Sequence, residues 1–559
     1  MNVFASQERP QLLQTMQETQ YDLIIIGGGA TGAGTALDAA ARGLSVCLIE
    51  MQDFAAGTSS RSTKLIHGGL RYLKQFEIAL VREVGRERAI VHRLAPHLVV
   101  SEKMLLPLVE DGTYGRFATS RGLMVYDVLA GVERPDQRIM LSKEETLEKE
   151  DLLRTDILQG SGLYAEYRTD DARLTVEVLK TAAKYGAHCI NYTKVTDFLY
   201  EDGKVVGVEC EELLSGKTFD ISAHQVVSAA GPWVDELREK NESLEGKRLH
   251  LTKGVHIVIP HEKLPLEQSV YFDVPDGRML FAIPRGKITY VGTTDTDYHG
   301  NKENPRTNQE DVAYLITGTN EMFPTANLTN EDVISSWAGL RPLIHEDGKS
   351  ASELSRKDEI FVSDSRLISI AGGKLTGYRK MAERVVDQVV KRLSRKLDRT
   401  FKPCTTDKID IRGAEQLANA YEVEQYKSKV WERLEPLGFA QYDVWYLVHN
   451  YGEQTDDILA DFFSGEDKSA LGLIQAELRF GLQHEMVMTP VDFFSRRTGR
   501  LYFDIASVRT YAEPLMEQFV ATFDWSAEEQ EQHRGLLMQL VEEASTFPAA
   551  KPDEAVHSY

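Results

Sequence analysis

Residues Tyr21 to Glu50 read YDLIIIGGGATGAGTALDAAARGLSVCLIE. The mostly apolar run from Asp22 to Ile26 is typical of a buried parallel strand, and the glycines directly after it have the spacing G-x-G-x-x-G. An alanine-rich helical stretch leads to a second apolar run, Leu44 to Ile49, which is followed by an acid. This order of strand, turn, helix, strand and terminal acid predicts a complete βαβ unit that binds a dinucleotide.

The parts of this βαβ unit have separate predicted roles. Gly27 allows the tight turn, Gly29 lets a pyrophosphate approach the backbone, and Gly32 lets helix and strand pack closely. The helix N-terminus offers free N–H groups to the phosphates, and Glu50 is placed to hold ribose hydroxyls. The pattern does not separate NAD from FAD, because the acid argues only against a 2′-phosphate. The predicted cofactor contacts in the unit are Gly27, Gly29, Ala30, Thr31, Gly32 and Glu50.

Length, charge and cysteine usage limit the class of protein. At 559 residues the chain exceeds a single hydrophobic core, so several structural units are expected. The formal net charge is −22, and no affinity for nucleic acid is expected. The four cysteines are scattered without a C-x-x-C pair, which predicts no disulfide framework and no metal site and fits a reducing cytosol.

Hydropathy bears on the location of the protein. No stretch approaches the length of a transmembrane span, and the first twenty residues lack the apolar core of a signal peptide. We therefore expect a cytoplasmic protein, with peripheral contact on the inner face of the cell membrane left open. The sequence gives no oligomeric state, and a homodimer is also left open.

The loop after the βαβ unit, Asp53 to Leu73, reads DFAAGTSSRSTKLIHGGLRYL. Small hydroxyl groups and basic groups beside a nucleotide fold suit contacts with phosphates and rings, whereas the usual meaning of such clusters is a solvated loop. We favour the functional interpretation because the loop directly continues the βαβ unit. Its predicted cofactor contacts are Thr58, Ser59, Leu65, Ile66, His67 and Gly68.

The middle of the chain alternates between helices and strands. Phe76 to Leu94 has helical spacing with many charges, so we expect an amphipathic surface helix whose charges face solvent. Val195 to Ile221 predicts an antiparallel meander, and Gln225 to Ala230 predicts a separate strand that rejoins the parallel sheet. His250 to Asp297 is again rich in strands and predicts a second, mainly antiparallel sheet.

A second strand-glycine-helix junction lies far along the chain. The strand Leu367 to Ile370 leads into GGKLTGYRK, residues 372–380, and then into a long helix. Beyond about Asp407 the pattern is helical, with an N-cap at Thr489 and a capping box that begins at Ser526. Further predicted cofactor contacts are Val195, Gly231, Gly373, Leu375 and Thr376.

The two glycine junctions, together with the segments between them, resemble the FAD-dependent glycerol-3-phosphate dehydrogenases. The resemblance rests on IGGGATGAGTALDAAARG (26–43) and GGKLTGYRKMA (372–382), and on SSRSTKLIHGGLRYL, DGRMLFAIPRG, GTTDTDY and AGLRPL between them. It covers nearly the whole chain. It implies FAD as the cofactor and oxidation of sn-glycerol 3-phosphate to dihydroxyacetone phosphate.

The resemblance also implies an α/β fold of the glutathione-reductase-like FAD-binding type, with an inserted antiparallel β substrate domain and a C-terminal α-helical domain. The boundaries we predict are FAD-binding parts at 20–100, 171–235 and 346–400, a mixed substrate or cap region at 101–170, the substrate-binding sheet at 236–345 and the helical domain at 410–545.

Oxidation of a secondary alcohol phosphate needs cations for the phosphate and a base for the hydroxyl proton. For the phosphate we nominate Arg341 in AGLRPL with Arg71 and Arg278 as partners, because a guanidinium binds phosphate oxygens bidentately. An ion pair with one of the many acids is the alternative for each arginine. Tyr72 would bind substrate or cover the pocket with its ring.

Two histidines compete as the base. His67 precedes a glycine pair where the backbone can pass close to the flavin, and His256 lies on a predicted strand of the substrate sheet. Lys374, at the start of a helix, would stabilise negative charge on the cofactor or the substrate, with a surface lysine as the alternative. The predicted catalytic residues are His67, Arg341 and Lys374, and the predicted substrate contacts are Arg71, Tyr72, Arg278 and His256.

The electron acceptor is the main open point. Membrane quinone is the leading expectation, oxygen with formation of hydrogen peroxide is the alternative, and no residue decides between them. A soluble NAD-dependent dehydrogenase would share only the first thirty-residue unit. An inactive binding module would lack catalytic groups, yet the nominated cations and His67 are present.

Overall fold

The computed structural model describes residues 4–67, 78–110, 112, 137–345 and 358–549. Numbered in chain order, its strands are β1 Gln20–Ile26, β2 Val46–Ile49, β3 Leu65–Ile66, β4 Val100–Val109, β5 Ile139–Leu141, β6 Leu158–Arg168, β7 His188–Ile190, β8 Thr193–Glu201, β9 Lys204–Glu212, β10 Lys217–Ser228, β11 Arg248–Pro260, β12 Ser269–Asp273, β13 Met279–Arg285, β14 Ile288–Gly292, β15 Thr296–Asp297, β16 Ser335–His345, β17 Glu359–Val362 and β18 Ile368–Ala371.

The helices are α1 Arg9–Glu18, α2 Ala30–Ala41, α3 Ile78–Leu94, α4 Lys143–Lys149, α5 Asp171–Lys184, α6 Val234–Lys240, α7 Gln309–Met322, α8 Tyr378–Leu397, α9 Ala420–Leu434, α10 Gln441–Tyr451, α11 Thr455–Ser464, α12 Ala470–His484, α13 Pro490–Asp492, α14 Arg500–Phe503, α15 Ile505–Phe523 and α16 Ala527–Ser545. None of the helices in the described ranges combines the length and the apolar character needed to cross a membrane.

The predicted βαβ unit forms the centre of the first sheet, in which strands follow the order β17-β18-β10-β1-β2-β7. β1 pairs in parallel with β2 and with β10, and Ile26 at the end of β1 lies opposite Ile49 at the end of β2. The carboxyl ends of these strands therefore meet at one edge, where the glycine turn and Glu50 follow them.

One strand prediction in this sheet is wrong. We expected the meander to end at Ile221 and Gln225 to Ala230 to form a separate strand, but β10 runs without a break from Lys217 to Ser228. Its first half pairs antiparallel with β9 and its second half pairs parallel with β1. The residues between the two expected strands stay extended because Ser222 and Ala223 already pair with β1.

The second sheet is mainly antiparallel, as predicted, and follows the order β15-β11-β14-β13-β12-β4-β6-β3. In addition, β16 pairs with β11, and β5 pairs with β6. It is larger than the strand-rich stretch His250 to Asp297 suggested. β4 and β6, from the region predicted to be a mixed cap, extend the same sheet through a parallel pairing of β4 with β12. This sheet forms the surface against which the nucleotide fold packs.

Helix α3 confirms the prediction that its charges face solvent at Arg82 and Arg86, which are exposed, and corrects it at two other charges. Glu87 and Arg88 are each only 2% exposed. Arg379 of α8 donates two hydrogen bonds to Glu87, at 2.6 and 2.7 Å, and Arg88 donates to Glu166 at 3.0 Å. A charge pattern in sequence cannot show whether the helix face meets water or opposite charges on another element.

The C-terminal region is helical, as predicted. Thr489 caps a helix that begins with Pro490, and Ser526 forms a capping box with Glu529. These helices contact the rest of the chain. In one such contact, Nδ1 of His449 on α10 lies 2.6 Å from the carbonyl oxygen of His97.

Acid should destabilise the protein through His97. The ring of His97 is fully buried, and neither of its nitrogens has a hydrogen-bond partner among the described residues. Burial, reinforced by nearby Arg173, lowers the pKa of His97 from 6.5 to about 3. Below pH 6.5 the unfolded chain therefore takes up a proton that the folded chain does not, so stability falls as the pH falls.

We expect the melting temperature to drop between pH 7 and pH 5, with His97 contributing up to about 1.4 kcal/mol per pH unit below its unfolded pKa. His97→Asn should flatten this dependence in thermal melts, even if it lowers stability at pH 7. His299→Asn, at an exposed position, is the control. An unchanged slope in His97→Asn would contradict the assignment.

Candidate active site

The glycine turn after β1 tolerates no side chain at two positions. Gly27 has a φ of +113°, and a Cβ there would lie 2.6 Å from the carbonyl oxygen of Ala229. A Cβ on Gly32 would overlap the carbonyl oxygen of Gly27. The turn therefore lies directly against the start of α2, whose first N–H groups lack intrahelical acceptors and suit a pyrophosphate.

Glu50 shapes this turn as well as facing the site. One carboxylate oxygen accepts a hydrogen bond from the backbone N–H of Gly28 at 2.6 Å, and the other accepts from that of Gln52 at 2.8 Å. Burial raises the pKa of Glu50, and these two donors partly oppose that rise. A carboxylate has about four acceptor positions, so ribose hydroxyls can still bind.

One cavity of about 460 Å³ joins the βαβ unit, β8 and the second glycine junction. Its volume is within the range of small-molecule sites. The predicted cofactor contacts that line it are Gly27, Gly29, Ala30, Thr31, Glu50, Thr58, Ser59, Val195, Gly231, Gly373 and Leu375. Gly32, Leu65, Ile66, His67 and Thr376 are described but do not line it, and Gly68 lies outside the described residues.

Several lining residues were missed by the sequence reasoning. Trp233, in the GPW sequence after β10, lies over Gly57, where an added Cβ would be 3.3 Å from its ring. An aromatic residue just after a parallel strand was the available signal. Residues such as Gln52, Thr193 and Lys194 gave no signal, because a long-range contact brings β8 to the end of β2: the N–H of Thr193 donates to the carbonyl of Glu50 at 2.8 Å.

The loop after the βαβ unit lies on the face of the second sheet. Thr58 donates through its hydroxyl to the carbonyl of Leu340 at 2.8 Å, and the indole of Trp337 donates to the carbonyl of Ser62 at 3.0 Å. Lys64, one of the basic groups expected to suit phosphate, is instead buried and donates to Asp171 at 2.5 Å. This loop therefore joins the nucleotide fold to the second sheet.

His67 and Lys374 meet at the second glycine junction. The Nζ of Lys374 lies 3.5 Å from Nε2 of His67, and the hydroxyl of Thr376 donates to the carbonyl of His67 at 3.2 Å. Lys374 also lines the cavity. The His67 ring is 6.2 Å from the ring of Phe281 on β13, so the pair faces the second sheet.

Arg341 lies on that sheet with its guanidinium held in place. It donates to the hydroxyl of Thr293 at 2.8 Å, the carbonyl of Thr294 at 3.1 Å and the carboxylate of Asp295 at 3.2 Å. Its side chain remains 27% exposed. The guanidinium covers the backbone of Gly254 on β11, where an added Cβ would overlap it.

Gly254 is a further residue that sequence reasoning missed, although it stands in the strand TKGVHIVIP. Gly254→Ala should displace the Arg341 guanidinium and raise the KM for a phosphorylated substrate roughly tenfold, since small displacements of a binding group are costly. Steady-state kinetics would measure this. Gly535→Ala, where nothing lies within 4 Å, is the matched control. An unchanged KM in Gly254→Ala would show that the guanidinium needs no such space.

His256, the second candidate for the base, is enclosed by other side chains. His256 is 1% exposed, stacks on Trp337 at 4.8 Å and shares a hydrogen bond of 3.0 Å with the hydroxyl of Thr63. Burial, with Arg341 nearby, lowers the pKa of His256 well below its usual value, so the imidazole is neutral.

Arg278 has an acid as its neighbour. It donates through Nε to Asp276 at 2.6 Å and lies over the ring of Tyr314. No described contact joins Arg278 to His67, His256 or Arg341. Arg71 and Tyr72 lie outside the described residues, so their roles stay predictions.

Fold and cavity together define the class, a protein that binds a dinucleotide where a parallel sheet meets the face of an antiparallel one. Residues 22–376 match the family model of the FAD dependent oxidoreductases, and residues 404–530 match the C-terminal domain of alpha-glycerophosphate oxidase.

Relatives extend this match to the whole chain. Aerobic glycerol-3-phosphate dehydrogenases of Bacillus subtilis (strain 168) and Staphylococcus haemolyticus (strain JCSC1435) are 52% and 48% identical, over 97% and 96% of this chain and 98% and 97% of their own lengths. The crystal structure of the glycerol-3-phosphate dehydrogenase from Bacillus halodurans complexed with FAD is 44% identical, with a TM-score of 0.83 over 97% of this chain and 99% of that chain.

The chain therefore belongs to the FAD-dependent (aerobic) glycerol-3-phosphate dehydrogenase family, as its motifs predict. Membership of this family decides between NAD and FAD, which the βαβ unit alone did not separate. The prediction of FAD is confirmed. The residues present fit that group, because the glycine turn is free of side chains and the cavity continues to the second glycine junction.

Proposed function

We propose that this protein oxidises sn-glycerol 3-phosphate to dihydroxyacetone phosphate and passes the electrons to membrane quinone, acting peripherally on the cytoplasmic face of the membrane. The observation that carries the proposal is the contact between His67 and Lys374 beside the cavity, on the side facing the sheet that bears Arg341. The names of the relatives and their similarity over nearly the full length of this chain support it.

Arg341 would hold the substrate phosphate. Its planar guanidinium matches two phosphate oxygens, and its contacts with Thr293 and Thr294 fix the direction of the fork. In the absence of substrate Asp295 is one counter-charge of Arg341. A phosphate, which carries more negative charge than one carboxylate, would take over this role.

His67 would take the hydroxyl proton. FAD, when bound, accepts the hydrogen and electron pair of the carbinol C–H bond, and the O–H proton must leave separately for the carbonyl to form. A lysine ammonium can only donate, so we infer that Nε2 of His67, which faces Lys374, would be the acceptor nitrogen of the imidazole. The charge of Lys374 would stabilise negative charge that develops nearby.

Mixing the holoenzyme with glycerol 3-phosphate under nitrogen tests the first half of the proposal. We expect the absorbance of the bound FAD to bleach with glycerol 3-phosphate and not with glycerol at the same concentration. Absorbance that persists with glycerol 3-phosphate but bleaches with dithionite would contradict the proposed substrate.

The acceptor needs a separate measurement. Oxygen stays the second candidate because the model that matches residues 404–530 is described from an oxidase. Stopped-flow reoxidation of the substrate-reduced enzyme would compare air with a soluble quinone. Faster reaction with quinone supports the dehydrogenase, and rapid reaction with oxygen that yields hydrogen peroxide would replace it with the oxidase.

A further inference from the structure

We propose that the C-terminal helical region sets the affinity for FAD through Arg496 and Arg497, which act as positioning residues on the loop between Glu50 and Ala56. This inference rests on FAD occupying the cavity. It gives the helical region a role that no motif in its sequence suggests.

Asp53, in the middle of this loop, is the point of attachment. Arg497 donates to its two carboxylate oxygens at 2.7 and 2.8 Å, and Arg496 donates through Nε at 2.5 Å. The side-chain amide of Asn191 adds a fourth hydrogen bond at 3.0 Å. Although burial opposes ionisation, Arg497 and Arg496 lower the pKa of Asp53 to about 2, so the carboxylate is charged at neutral pH.

Both arginines are fixed by their own region. Arg496 donates a second hydrogen bond to Asp492 at 2.9 Å, and Arg497 donates to the carbonyl of Glu485 at 2.9 and 3.0 Å. All of these groups are buried. The C-terminal region therefore presents two preoriented cations to a single carboxylate of the nucleotide fold.

The loop held by Asp53 is part of the FAD site. Glu50, Met51, Gln52 and Ala56 line the cavity on either side of Asp53. Glu50 accepts from the N–H of Gly28, and the N–H of Ala55 donates to the carbonyl of Gly28 at 3.1 Å. Both ends of this loop thus hold the glycine turn, so a shift of Asp53 would move the groups that face the ribose and the pyrophosphate.

A neighbouring buried cluster provides a matched control. Lys180 of α5 donates to Glu485 at 2.9 Å and to Gln454 at 2.7 Å, which joins the same C-terminal region to α5. No described contact of Lys180 reaches the loop between Glu50 and Ala56. Loss of a Lys180 contact should weaken the same interface without moving the FAD site.

The test uses the full-length chain freed of FAD and then titrated with it. Asp53→Asn and Arg497→Lys should raise the Kd for FAD at least about tenfold, measured by the change in flavin fluorescence. Lys180→Gln should lower the melting temperature of the apoprotein and leave that Kd within about twofold. At saturating FAD, we expect Lys180→Gln to keep the wild-type kcat.

Three results would overturn the inference. One is a lower apoprotein melting temperature in Asp53→Asn with an unchanged Kd, and another is an equal rise of the Kd in Lys180→Gln. If Asp53→Asn does not fold, the Kd for FAD is measured in Arg496→Gln, at the edge of the cluster. A wild-type Kd in Arg496→Gln is the third result that would overturn the inference. Because FAD binding is measured without substrate, failure of the proposed substrate would leave these outcomes unaffected.

Discussion

Arg341→Ala should raise the KM for glycerol 3-phosphate roughly 10- to 150-fold while FAD stays bound. A hydrogen bond to a charged group contributes about 1.5–3 kcal/mol, and each 1.4 kcal/mol is about a factor of ten. Arg341 is oriented by Thr293 and Thr294 and is still partly exposed, so it is available to an incoming anion. Steady-state kinetics with glycerol 3-phosphate would measure the change, and the flavin absorbance of the purified variant would report the bound FAD.

Two comparisons make this result specific to the phosphate. Inorganic phosphate should compete with glycerol 3-phosphate in the wild type and much less in Arg341→Ala, because the variant lacks the guanidinium that binds phosphate oxygens. Arg278→Ala removes an arginine that the structure pairs with Asp276, and its KM should stay within about threefold of wild type. A normal KM in Arg341→Ala, or a larger rise of the KM in Arg278→Ala, would show that Arg341 is not the main phosphate-binding residue.

Local sequence patterns were sufficient wherever neighbouring residues determine the geometry. Gly27 and Gly32 occupy positions where the backbone itself leaves no room, and the caps at Thr489 and Ser526 depend on residues within one turn. The motif resemblance then supplied the cofactor. These predictions needed no knowledge of how distant segments pack.

Tertiary packing decided what the sequence could not show. Lys64 looked like a phosphate ligand, but its partner Asp171 lies more than a hundred residues away. For His256, the rival base, the strand pattern could not show that its ring stacks on Trp337 of a strand that pairs with its own. A titratable side chain in a motif therefore needs its long-range partners before it can be assigned to binding or to catalysis.

His67→Gln should slow the reduction of enzyme-bound FAD by glycerol 3-phosphate about 10²–10⁴-fold, the usual effect of losing a general base. Glutamine keeps a polar side chain near Lys374 but cannot accept the hydroxyl proton. The measurement is the rate constant of FAD bleaching in an anaerobic stopped-flow instrument. The pH dependence of this rate constant should lose its acidic limb in the variant, because that limb reports protonation of the base.

His256→Asn separates His67 from its rival. The His256 ring is enclosed by Trp337, Thr63 and the backbone of Gly292, so its loss should disturb packing more than proton transfer. We expect the bleaching rate to fall less than about tenfold and to keep its acidic limb. The opposite pattern, a normal rate in His67→Gln and a large loss in His256→Asn, would assign the base to His256. Normal rates in both variants would assign the proton to water, because no protein base would then be needed.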